Sequence, residues 1–285
     1  MFMKTFKIKK CPQITSVADF VKSTEKLRER AQITQLWFRG QSLEKFGLIP
    51  AVGRPQSHNG IRVKNISEAM EKELLLRFRL RAYQFVKNTM NDWEAMMLAR
   101  HYGLPTRLLD WTASPLVALY FACSEDQGRE GRVWALNRYP YDGDNLLDAI
   151  HLSQMKPGHD PFEIYKSNVV TSKKLGTKVT NDAVKILHPL HNSPRLVSQS
   201  GIFTFHSNPR KQLEKYKDVL FDDKRLDIQH LFYWVIPKTA KTQIVRSLTG
   251  LGISRRTLFP DLEGLARGLL EVSLLWREKG HAFKP

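Results

Sequence analysis

Nine consecutive residues, "PLVALYFAC" from Pro115 to Cys123, carry no charge and a single hydroxyl, that of Tyr120. A helix that is apolar on all sides has no face to offer water and must be buried. Ser114 suits the N-cap, where a hydroxyl accepts a bond from an orphan backbone N–H, and Pro115 suits the first helical position, where no N–H is needed. The apolar run Leu116–Cys123 is far too short to span a bilayer. Directly before it stand His101, Tyr102, Arg107, Asp110, Trp111 and Thr112. Either this is a well-capped core helix, or the helix anchors a polar stretch that lines a pocket. We expect the second: His101–Ser114 forms one wall of a site, and Pro115–Cys123 holds it in place.

The rest of the chain alternates strands and helices without a strict order. Ser16 to Asp19 has capping-box-like spacing and opens a helix to about Arg30. "QLWFRG" reads as a strand ending at Gly40, and "FGLIPAVGRPQSHNGIRV" as a surface loop. Met70, Leu74, Leu75, Phe78, Tyr83 and Phe85 follow helical spacing from Ser67 to about Asn88, and a second helix runs from near Asp92 to a stop at Gly103. "GRVWALN", "RLVSQSGIFTFH" and "HLFYWVIP" read as strands, with 142–180 a weakly patterned insertion. Lys241–Leu248 and a final stretch from about Pro260 to Lys279 read as helices. The mixture predicts an α+β fold, one domain over residues 1–285, with small mixed or antiparallel sheets flanked by helices.

With 45 Lys and Arg against 28 Asp and Glu, the formal net charge is +17. Such an excess favours an anionic macromolecular partner, nucleic acid or a protein bound to it, over simple solubilisation. The basic residues gather as Lys166, Lys173, Lys174, Lys178 and Lys185, then Arg210, Lys211, Lys215 and Lys217, then Lys238, Lys241, Arg246, Arg255 and Arg256. Cys11 and Cys123 are the only cysteines, so no disulfide framework is suggested. No signal peptide or membrane span is evident, and a cytoplasmic protein is the simplest reading.

Several chemistries find no motif. The chain lacks a glycine-rich phosphate loop and a nucleophile elbow. His188 and His191 flank a proline with no matching third ligand, which favours a surface loop over a metal site. Glu71 and Glu73 fall on different helical faces and read as a solvated charged surface. There remain the strand-end Arg39, followed by Gly40 and Gln41, and the stretch before the apolar helix. An arginine beside a glycine suits an anionic ligand, because the missing side chain lets the ligand reach the backbone. The alternative is that Arg39 pairs with a buried acid such as Asp110. Asp110 sits between Leu109 and Trp111 and needs a cation, for which Arg107 is the nearer candidate.

"WFRGQ" and "HYGLPTRLLDWTASPLVALYFA" together resemble the FRG-domain family, whose name is spelt here by Phe38, Arg39 and Gly40. "SQSGIFTFH" and "TLFPDLEGLA" resemble its later motifs, so the likeness extends over about Leu36–Ala266, with the N-terminal strand and helix and the C-terminal helix packed on that core. In motif order the chain is also similar to ADP-ribosyltransferases, which use an Arg, a Ser-Thr-Ser and a late Glu around an NAD cleft. That resemblance implies catalytic roles for Arg39 and Gln199, with Glu94 or Asp110 as a recruited acid and Glu263 behind them. It implies NAD contacts from Arg39, Gly40, Gln41, His101, Tyr102, Trp111, Thr112 and Ser114, with Tyr102 or Trp111 stacking on nicotinamide. Three positions depart from the patterns: Arg100 stands where the FRG family usually carries Gln, Ala113 interrupts the hydroxyl motif, and Gln199 is neutral where the acid is expected. The expected function is NAD-dependent ADP-ribosyl transfer to a macromolecule, as in a toxin or phage-defence effector, with a possible neutralising partner protein. An NAD glycohydrolase, or a non-catalytic module binding nucleic acid or protein, is the alternative.

Overall fold

The structure is a computed structural model that describes residues 8–31, 35–45, 47–86, 90–138, 149–151, 160–164, 168–171, 178–181, 184–189, 194–215 and 231–277. Short polar side chains start its helices. The Ser16 hydroxyl accepts from the Asp19 N–H at 3.1 Å where β1 (Ile8–Lys10) gives way to α1 (Val17–Ala31). β2 (Gln35–Gln41) follows as expected.

The next stretch is less of a loop than its prolines suggested. β3 (Gln56–His58) and β4 (Ile61–Val63) form a hairpin, and Leu48 and Val52 are buried. Asn59 and Gly60 turn the hairpin with φ of 48° and 81°, which suits a type I′ turn. The Asn-Gly pair was the signal for it.

Ser67 caps α2 (Glu68–Ala82), and an Asn91–Glu94 capping box starts α3 (Asp92–His101). Gly103, at φ 88°, ends the turn after α3. α2 buries little of its expected apolar face. Leu75 is buried, but Met70, Tyr83 and Phe85 are exposed, and Leu74 and Phe78 line an apolar groove with Leu98 and Tyr102. Glu71 corrects the sequence reading of a solvated carboxylate: it is 3% exposed and bound to Arg107.

Beyond lie β5 (Leu108–Thr112), α4 (Pro115–Cys123), β6 (Gly131–Arg138), β7 (Ala149–His151), α5 (Pro161–Ile164), β8 (Asn168–Thr171), β9 (Lys178–Asn181) and β10 (Val184–His188). The segment read as the single strand "RLVSQSGIFTFH" divides into α6 (Pro194–Ser198) and β11 (Gly201–His206). Ser200 makes the break with φ 47°, which neither helix nor strand accommodates. β12 (Leu231–Ile236), α7 (Lys238–Gly250), α8 (Arg255–Leu258) and α9 (Leu262–Arg277) complete the described chain.

The α+β class expected from the sequence holds. Among the described residues eight strands share one mixed sheet in the order β1-β12-β6-β2-β5-β11-β10-β7, and β3–β4 and β8–β9 form two-stranded sheets. All neighbours in the large sheet are antiparallel except β1–β12 and β10–β7. β2 pairs with β6 along its whole length but meets β5 only through Phe38 and Thr112. The sheet therefore opens between β2 and β5 just beyond Phe38.

α4 covers this region from one side. Val117, Ala118, Leu119, Tyr120, Ala122 and Cys123 are at most 4% exposed, packed with Phe20, Phe38, Trp234 and Ile244. Two glycines permit the close approach: a β-carbon at Gly40 would overlap the Ala118 carbonyl, and one at Gly131 the Ala122 carbonyl. No helix among the described residues is long and apolar enough to cross a membrane.

Candidate functional site

A cleft of about 390 Å³ occupies the opening of the sheet, within the range of small-molecule sites. β2 contributes Arg39, Gly40 and Gln41, followed by Ser42; β5 contributes Asp110, Trp111 and Thr112. The end of α3 brings Arg100 and His101, the end of α4 brings Phe121, Ser124 and Glu125, and α6 with its turn brings Arg195 and Gln199. Arg54 also reaches it. Among the described residues four arginines thus face two carboxylates, an excess of positive charge.

Arg39 bridges the split. Its Nη1 donates to the Asp110 carbonyl at 2.7 Å and approaches Asp110 Oδ2 at 3.4 Å, so a guanidinium takes the place of a strand-to-strand bond. Its Nε is buried without a hydrogen-bond partner. Burial, against the pull of Asp110, pushes the Arg39 guanidinium down to about 10.

Asp110 is held mainly by Arg100, whose Nε donates to both carboxylate oxygens at 3.0 and 3.1 Å and whose Nη2 also bonds Oδ2. Burial raises the Asp110 carboxyl, but Arg100 and Arg39 overcome that and hold it well below the usual carboxylate range. Arg100, set apart above only as a family departure, is therefore the principal partner of Asp110. Arg107 is not, because it binds Glu71.

The other site residues fare differently. Thr112 Oγ1 donates to the Gln199 carbonyl at 2.6 Å, tying the β5 end to the turn before β11. Gln199 lies in that turn and not on a strand, with its Nε2 donating to the Leu258 carbonyl at 2.9 Å. Trp111 Nε1 donates to Thr204 Oγ1 at 3.0 Å, and Thr204 bonds the buried His206. Burial, with Arg39 and Arg107 nearby, pushes His206 down to about 3, so it stays neutral. His101 is also lowered, by burial and by Arg195, whose Nη1 donates to the His101 carbonyl at 3.2 Å.

Three expected positions lie outside the cleft, and Gln41 lines it with its carboxamide already engaged. Gln41 lines the cleft, but Trp134 donates to its carboxamide oxygen at 2.7 Å and its nitrogen donates to the Gly47 carbonyl at 3.2 Å, so it braces the wall. Tyr102 is 71% exposed and belongs to the apolar groove beside α2. Glu94 lies outside the cleft, where its carboxylate accepts from the Asn91 N–H at 2.8 Å to complete the capping box of α3. Ser114 lies outside it too, accepting from the Val117 N–H at 3.4 Å. Ser114→Ala should lower stability by about 1 kcal/mol and leave ligand affinity unchanged, as urea unfolding and titration calorimetry will show. Gly40 remains at the cleft, but its lack of a side chain serves the packing of α4. Glu263 is exposed on α9 and pairs with Arg267 at 2.8 Å.

Arg54, Arg195, Phe121 and Glu125 escaped the sequence reading. Phe121 stands in the quoted motif only as part of the buried helix, and no motif marks the other three, which reach the cleft only through the tertiary fold. The basic groups are also less uniform than expected. Lys241 is wholly buried, Arg246 donates to the Leu275 carbonyl, and Arg255 stacks on Phe259. Lys166, Lys173, Lys174 and Lys217 lie outside the described residues, as do the side chains of Lys178 and Lys185. His191, the partner of His188 in the sequence, also lies outside them; no cluster of metal-ligating side chains occurs among the described residues.

The residues that make both walls of the split match a known family. Residues 34–130 fit the family model of the FRG domain. The chain carries an FRG domain. The match runs from before β2 to the residue preceding β6, so the FRG segment supplies Arg39, Arg100, Asp110, Thr112 and Glu125 together. It is shorter than the span suggested by the later motifs, which fall outside it. No curated protein and no solved structure matches the chain.

Proposed function

We propose that the FRG cleft binds NAD and that the protein transfers ADP-ribose from it to a macromolecule. The observation carrying this reading is the convergence of Arg39, Arg54, Arg100 and Arg195 on one cleft, beside Thr112 and the Gln199 turn. Planar guanidinium donors suit the paired phosphates of a dinucleotide. The buried, unpartnered Nε of Arg39 is a donor that an anionic ligand would satisfy. Bound NAD would supply an activated bond between ribose and nicotinamide. Arg39 and Arg100 hold the anionic part, Thr112 fixes the neighbouring turn, and α4 keeps the wall rigid. The net charge of +17 supports an anionic acceptor such as nucleic acid.

Incubation with NAD and candidate acceptors, followed by measurement of nicotinamide and labelled product, tests the reading. Nicotinamide release with a modified acceptor is expected. Free ADP-ribose alone would instead indicate a glycohydrolase. Neither binding nor release, with nucleic acid still bound, would favour the non-catalytic module.

A further inference from the structure

We propose that Glu125 is the carboxylate through which the cleft recognises positive charge on its ligand, and that Lys241 is the residue that positions it. The inference rests on the NAD reading and adds an orientation to it.

Among the described residues two carboxylates line the cleft, and one of them is uncommitted to its arginines. Asp110 is gripped by Arg100 and Arg39. Glu125 forms no ion pair with a cleft arginine among the described residues. It stands just past the end of α4, where Ser42, Phe121 and Ser124 share the wall with it.

The loop carrying Glu125 is fixed by an unusual partner. Lys241, on α7, is 0% exposed, a rare state for lysine. Its ammonium donates to the carbonyls of Ser42 at 2.7 Å, Glu125 at 2.9 Å and Asp126 at 3.1 Å. Three donors meet three carbonyls, so the buried charge is fully solvated by backbone. Ser42 Oγ adds a bond to Asp126 Oδ2 at 2.6 Å. Asp126 takes φ 49°, a left-handed turn conformation that aspartate adopts more readily than most side-chain-bearing residues. The Lys241 clamp thus joins the strand end after Arg39 to the loop bearing Glu125.

The lining therefore carries guanidinium groups and, in the exposed Glu125, a carboxylate that none of them binds among the described residues. A ligand with a pyrophosphate and a cationic ring satisfies both. Oxidised NAD has that cation and its reduced form lacks it, while the phosphates are the same in each.

Titration calorimetry of the full chain with oxidised NAD, reduced NAD and ADP-ribose tests the proposal without requiring turnover. The wild type should bind the oxidised form about fivefold more tightly than the reduced form, the upper end for a partly solvated ion pair. Glu125→Gln should bring the two affinities together and leave ADP-ribose unchanged. Lys241→Met should shrink the ratio likewise; if it does not fold, Ser42→Ala loosens the same loop and should shrink it in part. Equal wild-type affinities, or a preference that survives Glu125→Gln, overturn the role of Glu125 while the NAD reading stands. A preference unaffected by loosening the loop overturns the role of Lys241. If none of the three ligands binds the wild type, the NAD reading fails and takes this inference with it.

Discussion

Glu71→Ala should destabilise the protein by about 3–5 kcal/mol, the loss typical of breaking a buried ion pair from one side. The expectation follows from the surroundings of Arg107, which is 2% exposed. Its Nη2 donates to Glu71 at 2.9 Å, its Nε at 3.2 Å, and its backbone N–H at 3.0 Å. Its guanidinium lies 4.4 Å from the Phe162 ring centroid and 5.6 Å from that of Phe205. Glu68 approaches only at 3.5 Å, with 45% of its side chain exposed, and cannot replace the lost carboxylate. The variant leaves a buried guanidinium uncompensated and a backbone N–H without its acceptor. Arg107→Met on top of Glu71→Ala should recover part of the loss, because the stranded charge is then gone. Urea unfolding of both variants checks this. A single-variant loss under about 1 kcal/mol would mean that water or Glu68 takes over the pairing.

Glu71 also illustrates what the sequence could and could not disclose. Local rules placed the helices well: Ser16, Ser67 and Ser114 each cap the helix expected after them, and Gly103 stops α3. These signals act within a few residues and need no knowledge of the fold. Pairing across the chain had no such signal. Arg107 is three residues from Asp110, yet the chain turns it towards Glu71 on α2, and Arg100 reaches Asp110 from α3. Gln199 was displaced for a local reason, the left-handed Ser200 that ends α6 before β11 begins. The cleft's wall was legible because its residues adjoin a helix too apolar to sit anywhere but the core. Its other contributors, Arg54, Arg195 and Glu125, meet that wall only through the tertiary fold, and the one-residue contact between β2 and β5 leaves no periodic trace.

Arg39→Ala should weaken ADP-ribose binding by about 10–100-fold, the equivalent of losing one charge-assisted hydrogen bond of about 1.5–3 kcal/mol, and nicotinamide release from NAD should fall with it. The same change should lower stability by about 1–3 kcal/mol, more than an exposed strand-end arginine would, because the Asp110 carbonyl loses its 2.7 Å donor where the sheet has no ladder bond. The loss stays below that of Glu71→Ala, since Arg100 continues to hold the Asp110 carboxylate at 3.0 and 3.1 Å. Arg39→Lys separates the two roles. A lysine keeps the charge but not the planar fork that can hold Asp110 and a ligand at once, so it should retain more stability than alanine while binding ADP-ribose poorly. Thermal or urea unfolding gives the first quantity, and calorimetry on the folded variants gives the second. If Arg39→Ala loses stability yet binds ADP-ribose within threefold of wild type, Arg39 only braces the split sheet, and ligand recognition belongs to Arg54, Arg100 and Arg195.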